Sequence, residues 1–150
     1  MHLRSQSRRW SHIGALLLSL TTAAAGADWY VRTDGSDAAD GTNWITAFQT
    51  IGNGVARAQD SDTVLVSNGV YAIVAEIAVT NAITVRGFDG DRGAIVKRSS
   101  SSSNRLFMIT HAGAALDSLT LTNGFIVAGY GGGLLVSNGT VRNCAVVGNY

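Results

Sequence analysis

The sequence predicts an all-β protein, a coil of short stacked strands behind one short N-terminal helix. Three observations predict it. Glycine is abundant (18 residues), proline is absent, and charged residues make up 14% of the chain, against about 25% in soluble domains. With many Val, Thr and Asn, this composition fits strands and corners rather than helices. Beyond Ser61 the chain is a succession of short β-prone runs, most of them closed by Gly or Asn. Finally, "LDSLTLTNG" (116–124) and "VRNCAVVGN" (141–149) align at an offset of 25 residues, placing Leu116 with Val141, Leu119 with Cys144 and Leu121 with Val146. That offset lies in the range of solenoid repeats.

The first 27 residues read as an export leader. His2, Arg4, Arg8 and Arg9 form a basic start, Ile13–Leu20 an apolar stretch too short to span a bilayer, and Ala25-Gly26-Ala27 a small-x-small cleavage site with Asp28 as the first mature residue. All ten acidic residues lie at or beyond Asp28, whereas three of the eleven basic ones lie in the leader, so the mature chain carries a net charge of −2. No basic patch interleaved with aromatics is present, and nucleic acid is not an expected partner. The mature chain has no expected transmembrane segment. Cys144 is the single cysteine; the reading is a buried thiol acting as a small hydrophobe.

Residues 28–62 are expected to form a strand, a loop and a capping helix. Asp28–Arg32 is β-prone, and the two Asp-Gly pairs between Asp34 and Asn43 mark turns. Phe48, Ile51, Val55 and Ala58 share one helical face, with Thr50 as N-cap. Gly52 and Gly54 each weaken that helix by about 1 kcal/mol, so packing must hold it. Residues 63–150 are expected to form the first coils. Their runs are Thr63–Val66, Glu76–Thr80, Ala82–Arg86, Ala94–Lys97, Arg105–Thr110, Ala115–Thr122, Leu134–Val136 and Thr140–Val147. By the 25-residue offset Tyr150 follows a strand, so further coils are expected beyond it and the chain reads as a fragment.

With these residues in view, "YVRTDGSDAADGTNWITAFQTIGNGVARAQDSDTVLVSNGVY" resembles the N-terminal part of secreted right-handed parallel β-helix proteins, the pectate-lyase-like superfamily. Ser61 replaces the glycine that precedes the family's first coil. The tail "GGGLLVSNGTVRNC" resembles repeats of bacterial surface β-helices, including polymorphic-outer-membrane-protein-like passengers. The resemblance implies a right-handed parallel β-helix (a solenoid) with a short N-terminal capping helix. It leaves activity open.

Several residues invite chemistry. Asp34, Asp37 and Asp40 are candidate Ca²⁺ ligands, although their spacing of three matches neither an EF-hand nor glycine-rich calcium repeats, and a solvated turn loop is the plainer reading. In lyases of the resembled fold a Lys or Arg serves as base beside acidic Ca²⁺ ligands. Lys97 and Arg98 are the adjacent basic pair, in the polar stretch "KRSSSSSNR" read as a loop. No lyase motif matches residue by residue, so the catalytic residues are unassigned. His111 reads as a corner histidine, Asn138-Gly-Thr140 as a sequon or a corner. The Gly131–Gly133 cluster precedes a β run without a nearby Lys, unlike a phosphate loop. The expected function is an exported, extracellular or cell-surface binding module of adhesin type, with acidic polysaccharide or surface glycans as partners. The alternative is a uronate lyase.

Overall fold

The computed structural model describes residues 25–150. The leader expectation lies outside them, apart from its last three residues. Over these residues the protein is mostly β, with parallel strands and one short helix. Strand β1 (Asp28–Val31) leads through a long loop into α1 (Ile51–Arg57). Thereafter the chain visits three sheets in turn. The first sheet holds β1, β2 (Thr63–Val66), β5 (Thr84–Gly87), β8 (Ala115–Asp117) and β11 (Thr140–Arg142). The second holds β3 (Gly69–Ile73), β6 (Ala94–Arg98), β9 (Leu119–Thr122) and β12 (Ala145–Val147). The third holds β4 (Ile77–Val79), β7 (Phe107–Ile109) and β10 (Leu134–Val136). Every pairing is parallel.

The alternation along each strand decides which side chains enter the core. In the first sheet Val64, Val85 and Leu116 are neighbours in register and fully buried. In the second, Tyr71, Val96 and Leu121 line up the same way. Phe107 and Ile109 fill the third. The residues aligned in sequence, Leu116 with Val141 and Leu121 with Val146, are cross-strand partners. Cys144 packs half-buried against this core, and burial pushes its thiol pKa up.

Three boundaries differ from expectation. The runs Ala115–Thr122 and Thr140–Val147 are each two strands, broken where Ser118 (φ 57°) and Asn143 (φ 54°) turn left-handed. Neither residue interrupts the apolar pattern enough to announce the corner. Phe48 lies outside the helix: it bridges Val31, donating its amide to the Tyr30 carbonyl, and its own carbonyl accepts from Arg32. Strand β3 was not expected, because Asn68-Gly69 reads as a terminator when it is only a corner.

α1 packs on β1, β2 and β4. Thr50 caps it, its hydroxyl accepting from the Asn53 amide at 3.3 Å. The two helix glycines have opposite surroundings. A Cβ on Gly54 would meet Val64 Cγ1 at 2.8 Å and Val31 Cγ2 at 3.0 Å, whereas one on Gly52 meets nothing within 4 Å. Gly54→Ala should therefore lower stability by about 1–3 kcal/mol through overpacking, and Gly52→Ala should raise it by about 0.5–1 kcal/mol through helix propensity. Chemical denaturation of the two variants checks the opposite signs.

Candidate functional site

The loop between β1 and α1 is held by the three aspartates nominated from sequence, each in a different place. Asp34 makes a two-pronged ion pair with Arg32, at 2.6 Å to both guanidinium nitrogens. That hydrogen bond holds the Asp34 carboxyl below the usual range. Asp37 accepts from the amides of Gln49 and Thr50, each at 2.9 Å, and from the Thr50 hydroxyl. Asp40 accepts from the Thr46 hydroxyl, which does most to lower its pKa, and from the amide and hydroxyl of Thr42. The three carboxylates are spent on separate sets of donors, and no group of three or more His, Cys, Asp or Glu among the described residues could hold a metal ion.

What this bracing positions is Trp44. The Arg32 guanidinium also donates to the Trp44 carbonyl at 3.0 Å, and Asn43 ties down the amides of Ile45 and Thr46. The indole meets Tyr30 edge-on at a centroid distance of 4.8 Å and Phe88, just beyond β5, at 4.8 Å. Such edge-to-face pairs follow from the ring quadrupoles. Leu65, the outward residue of β2 in register with Tyr30, is only 9% exposed. Phe88 stays 45% exposed.

From this aromatic cluster a column of outward side chains crosses the first sheet. Tyr30 pairs with Leu65, Leu65 with Arg86, Arg86 with Asp117, and Asp117 with Arg142, each about 4.8 Å from the next along the sheet. Asp117 is almost fully buried by its partners: it accepts from Ser118 Oγ at 2.9 Å, Arg142 Nε at 2.9 Å and Asn143 Nδ2 at 3.0 Å. Burial alone would raise its pKa, but these bonds outweigh it and the carboxyl sits below its ordinary value. Arg142 keeps its side chain 56% exposed. Arg86 is exposed and makes no ion pair with any described residue. Beside the column runs a second row, Thr63, Thr84, Ala115 and Thr140, which adds hydroxyls. The face thus combines an aromatic surface, a free guanidinium and a braced ion pair.

None of these residues was singled out from sequence. Their spacing along the chain is irregular, and only the register brings them together; the one available signal was that Asp117 and Arg142 occupy the 25-residue offset already seen in the apolar positions. The residues that were singled out are placed elsewhere. Lys97 lies in the strand run expected of it, and Arg98 extends β6 by one residue rather than opening a loop. Arg98 is committed to the carbonyls of Asn123, Ser99 and Ser102 and lies over the Phe125 ring. His111 is exposed at a turn, its Nδ1 accepting from the Gly113 amide. Asn138 sits at an exposed corner before β11. Gly133 offers its carbonyl to the amides of Leu106 and Phe107. An open groove of about 690 Å³ lies between α1 and the β3–β4 segment. Its wall includes Glu76, paired with Arg105 at 2.6 Å, and Tyr71, whose hydroxyl is taken by Ser67. No helix among the described residues is long and apolar enough to cross a membrane.

Two outcomes are expected of the carboxylates. Asp37→Ala removes the acceptor for two amides and a hydroxyl and should lower stability by about 1 kcal/mol, equally in EDTA and in millimolar Ca²⁺; a loss confined to the Ca²⁺ sample points to a metal site. Asp34, Asp40, Asp62 and Asp117 all have lowered pKa values. In the unfolded chain they titrate near about pH 4. Their stabilisation is therefore complete above that pH and is lost as the pH falls through the lower folded values. Melting temperature measured against pH should stay level down to about pH 5 and then drop.

Comparison with known proteins adds no assignment: no protein-family model, no curated protein and no solved structure matches the chain.

Proposed function

We propose that the chain is part of an exported right-handed parallel β-helix of the pectate-lyase-like kind, working as a non-catalytic extracellular or cell-surface module that binds acidic polysaccharide. The three parallel sheets visited in turn support the β-helix reading. The binding reading rests on one observation, the outward column that runs from Tyr30, Trp44 and Phe88 to Arg86 and the Asp117–Arg142 pair. Pyranose rings present C–H faces that stack on aromatic surfaces. A uronate carboxylate offers two oxygens to the fork of a free guanidinium. A strand-by-strand ladder suits an extended polymer lying across it.

Titration of the protein with polygalacturonate or alginate, followed by tryptophan emission, tests this. Binding is expected to weaken as salt is raised, and to weaken about tenfold in Arg86→Ala and in Trp44→Ala. Lys97→Ala should bind like the parent. No binding to any uronate polymer, or equal binding of a neutral glycan, overturns the reading.

The second reading, a uronate lyase, is favoured by the mixing of both charge signs on this same strip. A lyase would use a basic side chain to take the proton α to the uronate carboxylate while cationic groups neutralise that carboxylate. Absorbance of unsaturated products from the same polymers separates the two: a rising trace makes the protein a lyase, and a flat one with saturable binding leaves the module.

A further inference from the structure

Two residues that the cleavage motif assigns to the leader are built into the fold. The Ala27 amide donates to Asp62 Oδ1 at 2.7 Å, and its carbonyl accepts from the Thr63 amide at 2.9 Å, extending the β1–β2 ladder by one bond. Asp62 is only 7% exposed, and besides Ala27 it takes the Trp29 indole N–H and the Gln59 amide, each at 2.8 Å. Without Ala27 a mostly buried carboxylate loses one of its three donors and a strand amide loses its acceptor. Gly26 is fitted as tightly. A Cβ there would lie 1.7 Å from the Ser61 carbonyl oxygen, and Ser61 is itself held at φ 77°, so the corner has little room to retreat. Glycine at 26 answers a steric demand of the folded protein.

The motif alone does not choose where the leader ends. Ala25-Gly26-Ala27 is small-x-small, and so is Ala23-Ala24-Ala25, two residues earlier. The fold distinguishes them, because the earlier cut keeps both built-in residues and the later one discards them. We propose that leader peptidase hydrolyses the Ala25–Gly26 bond, leaving a carboxylate on Ala25 and a free ammonium on Gly26, so that the mature protein begins at Gly26 rather than Asp28. The proposal rests on the export reading. The enzyme acts on the unfolded precursor; the folded state records which residues survive it.

The test is export of the full precursor in a bacterial host, with intact mass and N-terminal sequencing of the secreted product. A start at Gly26 is expected. A start at Ala27 or Asp28 overturns the proposal while leaving export standing, and an uncut precursor overturns both. Two variants sharpen the result. Ala23→Arg spoils the third position before the proposed cut and should accumulate precursor. Ala27→Leu spoils the residue before the later cut, sits at an exposed position, and should be processed like the parent; the reverse pattern sinks the idea. Purified chains starting at Gly26 and at Asp28 should differ in melting temperature by about 5 °C, the shorter melting lower. Equal melting removes the structural reason for the earlier cut.

Discussion

Parallel, in-register pairing is the constraint on which the rest of this molecule depends. In a parallel sheet each side chain has its neighbour one strand away on the same face, so a single residue choice becomes part of a column. Inside, the columns are built of buried hydrophobic side chains, as the Val64, Val85 and Leu116 series is. Outside, the same geometry makes neighbours of residues tens of positions apart in sequence. Asp117 can be almost fully buried and still ionised because the column supplies Arg142 one strand on and the following corner supplies Asn143. Register is therefore the origin of both the core and the outer face, and a slip of one residue would exchange them.

The long loop before α1 follows from the same constraint at the start of the stack. β1 covers β2 in the first sheet, but α1 stands beside β4, where a further strand of the third sheet would have to begin. Joining a strand to a helix across that end takes a loop with many free amides, and Asp37, Asp40 and Asn43 satisfy several of them locally. This explains an aspartate-rich stretch without any ligand. It also explains why Trp44 is held so firmly on the sheet exterior: its carbonyl, its neighbours' amides and its two edge-to-face ring contacts lie within one braced unit.

Much of the fold was legible because corners and core write themselves locally. Gly and Asn stand at the turns, and the alternation of Val, Ile and Leu marks the inward face. The 25-residue offset foretold the pairing of Leu116 with Val141. Legibility failed where local pattern and tertiary role diverge. Ser118 looks like a strand residue yet turns left-handed, because the backbone must change sheets there. Phe48 carries a helical spacing with Ile51 and Val55 but is captured by β1 through two backbone hydrogen bonds. The outer face was invisible for a stronger reason. Tyr30, Trp44 and Phe88 belong to three different segments, and nothing in their flanking residues states that a parallel stack will bring Tyr30 and Phe88 each to 4.8 Å from the Trp44 ring. Charged residues gave the opposite problem: Lys97 and Arg98 drew attention by adjacency, whereas Arg86, alone in its strand, gained its importance only from its cross-strand partners.

Among the described residues, strands β3 and β4 have no strand on their outer side, since each ends its sheet. Bare parallel edges of this kind are the templates on which sheets from separate molecules join. Here α1 packs across β4 and its first turn overlooks the groove beside β3. A seven-residue helix with two glycines is too weak to persist by its own propensity, so it covers the β4 edge only while it stays docked on Val31 and Val64. Loosening that contact would bare the β4 edge to pairing with a foreign strand.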